Sequence, residues 1–327
     1  MRNFRRWAAV NGIKADGITS APTERDLIFF AVAEARRGIS PGAIKSSLSA
    51  IVSGTVASGF KNPVRGPDGM PLPTLRRVIR GISRTLTKAR RTRKPLTVDK
   101  LAAVIAHAVN VTGSTYDAAA MRAALCTGTY LMLRIGEMVS PSSTTHEPTR
   151  NLNVEDVAFF PSFENPEWMV LNIKVAKADP FRNGSELKVF TNGTATCPVK
   201  AMQTWLRYRG RTNGKDALFR MNNGKFLTRT VLQRWMRSGL TLAGYEGEQY
   251  SCHSLRAGGA ESLAAAGYDA SILQVLGRWA SASFLLYLQV SDSVKKGISK
   301  DLGRLQQQDI AAAHQRVGDP AADVWLA

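Results

Sequence analysis

Residues 253–288 read "HSLRAGGAESLAAAGYDASILQVLGRWASASFLLYL", one apolar helical segment after another, yet the stretch holds His253, Arg256, Arg278 and Tyr287. A packed core has no use for a cation three residues from an imidazole. His253 and Arg256 share one side of a helix that the pattern runs to Ala266 and stops at Gly267. Asp269 is expected to cap a short helix ending at Gly277; Arg278 and Trp279 follow that stop, and "SASFLLYL" opens a further helix containing Tyr287. Upstream, Arg134 closes the apolar run of "LMLRIGEM", with Glu137 one helical turn later. An arginine inside such a run needs a partner, and a phosphate together with Glu137 would serve. In "EWMVLNIKVAK", Leu171, Ile173 and Val175 share a strand face that Lys177 extends to the tip, whereas Lys174 lies on the other face with Asn172, toward solvent.

Taken singly, each of these has an ordinary reading. Arg134 and Glu137 suit a helix-surface ion pair, Lys177 suits a snorkelling side chain, and Tyr287 suits a core aromatic. An H-x-x-R pair is a weak signal in an arginine-rich chain. Other familiar chemistry is missing from the sequence: it has no Walker A loop, no H-E-x-x-H helix and no G-x-S-x-G elbow. His107, His146 and His314 lack metal-ligand spacing, and no acidic cluster is suited to a pair of magnesium ions. The expectation is chemistry on a phosphate without a metal.

The elements that must position these residues follow from the rest of the chain. Its 327 residues suffice for two domains, and a hydrophobic content of 44% supports a real core. Lys and Arg total 44 against 25 acids, a net charge of +19, which points to a polyanionic partner, nucleic acid first. Cys126, Cys197 and Cys252 are odd in number and far apart, giving neither a disulfide framework nor a zinc site and fitting a reducing compartment. The apolar runs are too short to span a bilayer. The basic start has no apolar segment of the secretory kind, which leaves an organellar transit peptide as the alternative.

The first ninety or so residues read as helical. "TERDLIFFAVAEARRG" has Thr23 as its cap and Gly38 as its stop; "SPGAIKSSLSAIVSGTVASG", which carries Lys45, starts on Ser40 and Pro41. After the loop "GPDGMPLP", "TLRRVIRGISRTLTKARRTRK" puts Arg76, Arg80 and Arg84 on one side of a helix that buries Leu75, Val78, Ile79 and Ile82, with Lys88 and Arg91 beyond. A like-charged stripe destabilises an isolated helix, and phosphates relieve it; the alternative is a solvated face. "RTRKPLT" reads as an interdomain linker, with Thr97 capping the next helix. Beyond it, helices are expected at "VDKLAAVIAHAV" and "YDAAAMRAALCTGTYLMLRIGEMV". Strands follow at "LNVEDVAFF", "EWMVLNIKVAK" and "ELKVF", the last two forming a hairpin through "ADPFRNGS". From "CPVKAMQTWLRYRG" onward the chain reads as helical again. The fold class is therefore mainly α with a small antiparallel sheet.

Arg134, a hairpin Lys177, His253-x-x-Arg256, Arg278 just after a glycine helix stop and Tyr287 ten residues beyond that glycine resemble, in order and spacing, the tyrosine recombinase (phage integrase) family. "RRWAAVNGI", "ISPGAIKSSLSAIVSG" and "LRRVIRGISR" look like that family's core-binding domain, and "KPLTVDKL" like the entry to its catalytic domain. "AKADPFRNG" and "LGRWASASFLLYL" resemble the recombinases of DIRS-type retrotransposons and Crypton-type elements. The resemblance implies a two-domain architecture: a helical DNA-binding domain over 1–92, a linker over 93–97, a catalytic domain over 98–302, and a tail over 303–327 that docks on a neighbouring protomer or is a surface helix. The family usually has histidine or tryptophan directly after the glycine; here Arg278 stands there, with Trp279 next. The chain begins in what looks like the middle of the first core-binding helix, so some N-terminal DNA contacts are expected to be missing.

What the resemblance implies chemically is DNA recombination by transesterification. Tyr287 attacks the scissile phosphorus and leaves a 3′-phosphotyrosyl link and a free 5′-hydroxyl. Arg134 and Arg256 hold the non-bridging oxygens with Arg278 as an added donor, Lys177 protonates the leaving oxygen, and His253 takes the tyrosine proton. Bond energy is kept, so no cofactor, ATP or metal is expected. The implied partner is double-stranded DNA, contacted by Lys45, Arg76, Arg80, Arg84, Lys88 and Arg91, with four protomers on paired sites and a monomer or dimer when free. The implied location is intracellular, with the DNA. The alternatives are a mobile-element DNA-binding protein that has lost catalysis and a topoisomerase of the type IB kind.

Overall fold

The computed structural model describes residues 2–14, 19–66, 68–86, 93–175, 183–210 and 213–279. The chain divides into two compact units, Met1–Arg91 and Thr92–Ala327.

In the first unit, four helices are set by local signals. Helix α1 spans Arg2–Val10. Helix α2 (Glu24–Arg36) starts on Thr23, whose hydroxyl accepts from the Asp26 N–H while the Asp26 carboxylate accepts from the Thr23 N–H, a reciprocal cap. It stops before Gly38, which has a φ of 76°. Helix α3 (Pro41–Ala57) starts on the Ser40 cap with proline in its first turn, as expected. Helix α4 spans Pro73–Leu86. Phe4, Leu27, Phe30, Ile44, Ile51, Leu75 and Ile82 form the core, with Phe4 and Phe30 edge to face at 5.4 Å. Each such side chain contributes about 1.5–3 kcal/mol by leaving water. The α4 N-terminus is tied across this core, since Leu75 N–H donates to Glu24 Oε1 (2.8 Å). Burial of Leu75 and Ile82 turns Arg76, Arg80 and Arg84 outward. Lys45, Arg76 and Arg80 line a groove of about 360 Å³ between α3 and α4. Lys88 and Arg91 lie outside the described residues.

The second unit is built around α7 (Thr115–Tyr130), buried from Ala118 to Thr129 except at Arg122. Helices α5 (Val98–Ala106), α6 (Ala108–Thr112), α9 (Pro198–Arg209), α10 (Arg229–Leu242) and α11 (His253–Ala265) pack around it. Short helices α8 (Ile135–Met138) and α12 (Ala270–Gly277) complete the helical set among the described residues. Trp205 of α9 is fully buried, edge-on to Tyr116 at 4.9 Å, and its indole N–H donates to Leu218 O (3.0 Å). Strands β1 (Val157–Phe160), β2 (Trp168–Ile173) and β3 (Ser185–Phe190) form one antiparallel sheet in the order β1-β2-β3. Leu171 pairs with Val157 on one side and Leu187 on the other, and Met169, Leu171 and Ile173 face the core.

Several local expectations change. The first strand begins at Val157, because Val154–Asp156 is a 3₁₀ turn closed by Asn153 N–H donating to Asp156 Oδ2 (2.7 Å). Thr97 precedes α5 but makes no side-chain cap; Lys100 Nζ donates to its hydroxyl instead (3.0 Å). Lys174, expected toward solvent, is 24% exposed yet paired: it bonds the buried Asp156 (2.7 Å) and donates to Pro148 O (2.8 Å). The long helix expected through Arg134 breaks after Tyr130, a difference that matters below. Residues 93–96 lie along the second unit, with Lys94 N–H on Gln249 O (3.0 Å) and Leu96 N–H on Ser254 O (2.8 Å).

Candidate active site

Where α7 ends the chain leaves the helix. Met132 adopts a positive φ of 45°, at a cost of about 1–2 kcal/mol for a residue with a Cβ, and Leu133 N–H returns to Gly128 O (3.0 Å). This turn frees the carbonyls of Leu131 and Met132, and both become acceptors for candidate arginines. Arg256, only 2% exposed, donates from Nη1 to Met132 O (2.6 Å) and from Nη2 to Gly277 O. Its guanidinium carbon lies 4.2 Å from the centre of the Trp279 ring, a cation–π contact in a desolvated setting. Arg278 donates from Nη1 to Leu131 O (3.3 Å) and from Nη2 to Glu137 Oε2 (2.7 Å). Arg134 precedes α8, not inside a long helix; its Nη1 donates to Glu137 Oε1 (2.9 Å) and its backbone N–H to Oε2 (2.9 Å).

Glu137 is therefore the hub. Its carboxylate, 3% exposed, takes donors from Arg134 and Arg278, whose side chains are 25% and 15% exposed. One carboxylate shared by the guanidiniums of Arg134 and Arg278, with Arg256 bonded to neutral carbonyls, leaves an excess of positive charge in a mostly desolvated setting, the electrostatic condition for an anion. Desolvation pushes the Arg278 pKa down, Glu137 opposes it, and Arg134 adds to the lowering.

Helix α11 reaches this position because two of its residues have no side chain. A Cβ on Gly258 would collide with the backbone of Leu96, and one on Gly259 with Thr129 O. The helix thereby lies against both and carries Arg256 to the Met132 carbonyl. His253 opens α11. Desolvation first, then the cations of Arg256, Arg229 and Arg134, hold its imidazole below the usual histidine value. At neutral pH it is the free base, fit to accept a proton.

Arg229 was not among the sequence candidates. It opens α10 after the Thr228 cap, with its carbonyl accepting from the Cys252 thiol (3.6 Å), next to His253. The preceding residues pair with the segment after α8, Ser140 N–H donating to Leu227 O (3.0 Å). A cleft of about 430 Å³ opens here, lined by Ile135, Gly136, Ser140, Val175 and Arg229 among others. A signal was present in the sequence: a cation in the first turn of a helix opposes the helix dipole and calls for an anion.

Thus Arg134 and Arg278 meet at one carboxylate, Arg256 is held by the carbonyls of Met132 and Gly277, and His253 feels the charges of Arg134 and Arg256. Lys177 and Tyr287 lie outside the described residues. Trp279 packs its ring on Arg256 and within an apolar cluster with Met132, Ala260 and Leu273. The three cysteines are buried thiols; burial pushes Cys126 up to about 12 and Cys252 up to about 11, which disfavours them as nucleophiles.

The fold is that of known recombinase structures. XerH site-specific recombinase in a post-cleavage complex with palindromic difH substrate superimposes with a TM-score of 0.59 at 16% identity, over 91% of this chain and 75% of that one. The Tn1549 transposon integrase in complex with circular intermediate DNA gives 0.53 at 13% identity, over 90% and 91%. A lambda integrase dimer bound to a COC′ core site gives 0.50 at 15% identity, over 88% and 87%. No curated protein sequence matches the chain. Residues 151–292, a segment containing His253, Arg256, Arg278 and Tyr287, match the phage integrase family model. That segment, a little under half of the chain, is similar to the phage integrase family.

Proposed function

We propose that this chain is a site-specific DNA recombinase that cuts and rejoins strands through a 3′-phosphotyrosine. The observation that carries the reading is a cationic site in which Arg134 and Arg278 share Glu137, Gly277 and Trp279 beside Arg278 hold Arg256, and the nearby His253 is held below the usual histidine value. A phosphodiester brings one negative charge, and its pentavalent transition state gathers roughly a second on the non-bridging oxygens. Arginine forks in a water-poor pocket stabilise that added charge more than they stabilise the ground state. His253 accepts the Tyr287 proton as the phenol oxygen bonds to phosphorus, and Lys177 protonates the departing 5′-oxygen. The new phosphotyrosyl ester replaces the broken phosphodiester, so the step reverses when a 5′-hydroxyl of another strand attacks.

The same reading gives residues 1–92 the task of gripping duplex DNA and residues 98–302 the chemistry. Lys45, Arg76 and Arg80 beside one groove, with Arg84 on the same helix, fit phosphate contacts. Lys88 and Arg91 extend that basic run. Exchange of two duplexes needs four protomers on paired sites.

The test is a suicide substrate, nicked so that the cleaved strand cannot be rejoined, made from DNA flanking the gene. The wild-type chain is expected to form a covalent adduct, and Tyr287→Phe to bind equally and form none. An adduct with Tyr287→Phe refutes the assignment. Binding without any wild-type adduct leaves a DNA-binding protein, and adducts without site preference indicate a topoisomerase.

A further inference from the structure

The segment Gly277–Trp279 touches Arg256 directly and reaches Arg134 through Glu137. Arg278 stands in the left-handed region (φ 54°, ψ 46°), a strained conformation for a residue with a Cβ. Its Nη1 is directed at Leu131 O and its Nη2 at Glu137, while its Nε is buried without a partner among the described residues. Glu137 in turn fixes Arg134 through both a side-chain and a backbone hydrogen bond. On the other side, Gly277 O accepts from Arg256, and the Trp279 ring covers the Arg256 guanidinium. Gly277 is required here because a Cβ would collide with that ring. Of the arginines bonded to Glu137, Arg134 is the more exposed.

We propose, resting on the recombinase reading above, that Gly277–Trp279 is a positioning bracket: Arg278 orients Arg134 through Glu137, Trp279 orients Arg256, and Arg278 is not itself a donor to the scissile phosphate. This departs from the role the family resemblance implies for Arg278. The charge of Arg278 is matched by the buried Glu137 it bonds, and Glu137 also holds the more exposed Arg134, whereas Arg256 bonds neutral carbonyls; a misplacement of about 1 Å in a phosphate-holding fork costs on the order of 10²-fold in rate.

The experiment compares Arg278→Ala, Arg278→Lys, Glu137→Gln and the double variant Glu137→Gln/Arg278→Ala. Two readouts are taken: the salt dependence of DNA affinity, and the single-turnover rate of adduct formation at saturating DNA. A positioning role predicts that Arg278→Ala and Arg278→Lys each lose about 10²-fold in rate, since lysine keeps the charge but not the fork. The salt slope stays that of wild type. The double variant cleaves no more slowly than Glu137→Gln alone, within about threefold. A slope lowered by about one, the signature of a lost phosphate contact, overturns the proposal. So does near-normal cleavage by Arg278→Lys, or a double variant whose losses multiply. If wild type binds DNA but forms no adduct, the recombinase reading fails by itself. The salt slope and the Glu137–Arg278 coupling in denaturant unfolding then still decide the bracket, the absence of coupling counting against it.

Discussion

Gly258→Ala tests how α11 delivers Arg256 to the site. The added Cβ would overlap the Leu96 carbonyl oxygen and carbon and stand 2.8 Å from Leu96 N. All three are backbone atoms, so no side chain can swing away. Bringing even the 2.8 Å contact to ordinary van der Waals separation, at least 3.4 Å, moves the helix or the Leu96 segment by more than about half an ångström. Overpacking of this kind costs about 1–3 kcal/mol. Strain on the hydrogen bond from Leu96 N–H to Ser254 O adds about 1 kcal/mol. The expected loss is about 2–4 kcal/mol, seen as a urea midpoint lower by about 1 M or more. Arg256 lies two residues before the collision and bonds to Met132 O, so adduct formation by the folded fraction should fall about 10²-fold. The control is the same change at Gly81, within α4, where a Cβ meets nothing within 4 Å. There the helix propensity of alanine should stabilise by about 1 kcal/mol. A Gly258→Ala protein with the wild-type midpoint and rate would refute the close seating of α11 on Leu96.

Further expectations concern the proton and phosphate contacts. Because the cationic surroundings and desolvation hold His253 down, its free-base form should persist below pH 6.5, and adduct formation should lose rate only as pH falls through that lowered value. An acidic limb at or above the ordinary histidine value would contradict this; Arg229→Gln, by removing a cation, should move the limb upward. Lys174→Ala should cost about 1–3 kcal/mol in stability, since it leaves the buried Asp156 with the Asn153 N–H but without that counter-charge, and should change the cleavage rate of folded protein only a few-fold. Lys177→Ala should abolish cleavage and be rescued by a 5′-bridging phosphorothioate, whose leaving group needs no acid; failure of rescue rules out proton donation. Arg80→Ala should weaken binding to all sequences alike and lower the salt slope by about one, and an unchanged slope would remove Arg80 from the interface.

Much of the fold was readable because its determinants act over a few residues. Thr23, Ser40 and Asp269 cap helices by bonding to N–H groups two or three positions on, and Gly38 and Gly267 end them by taking positive φ. The alternation in β2 likewise announced its buried face. The pairing of Arg134 with Glu137 was within the same reach, although the break in the helix before Arg134 was not foreseen.

What the residues accomplish together was decided elsewhere. Arg256 meets a carbonyl 124 positions away, and Arg278 meets a carboxylate 141 positions away. No periodicity encodes such contacts, because they depend on how closely α11 and α12 approach the end of α7. The glycines of "RAGGA" are visible in the sequence, but only packing reveals that Leu96 and Thr129 occupy the space their side chains would need. The sequence by itself determined the elements and the reactive side-chain types, since those follow from local geometry and charge. Tertiary structure alone decided that one buried carboxylate would bind both Arg134 and Arg278, because burial strengthens and selects such contacts only after distant helices have closed over them.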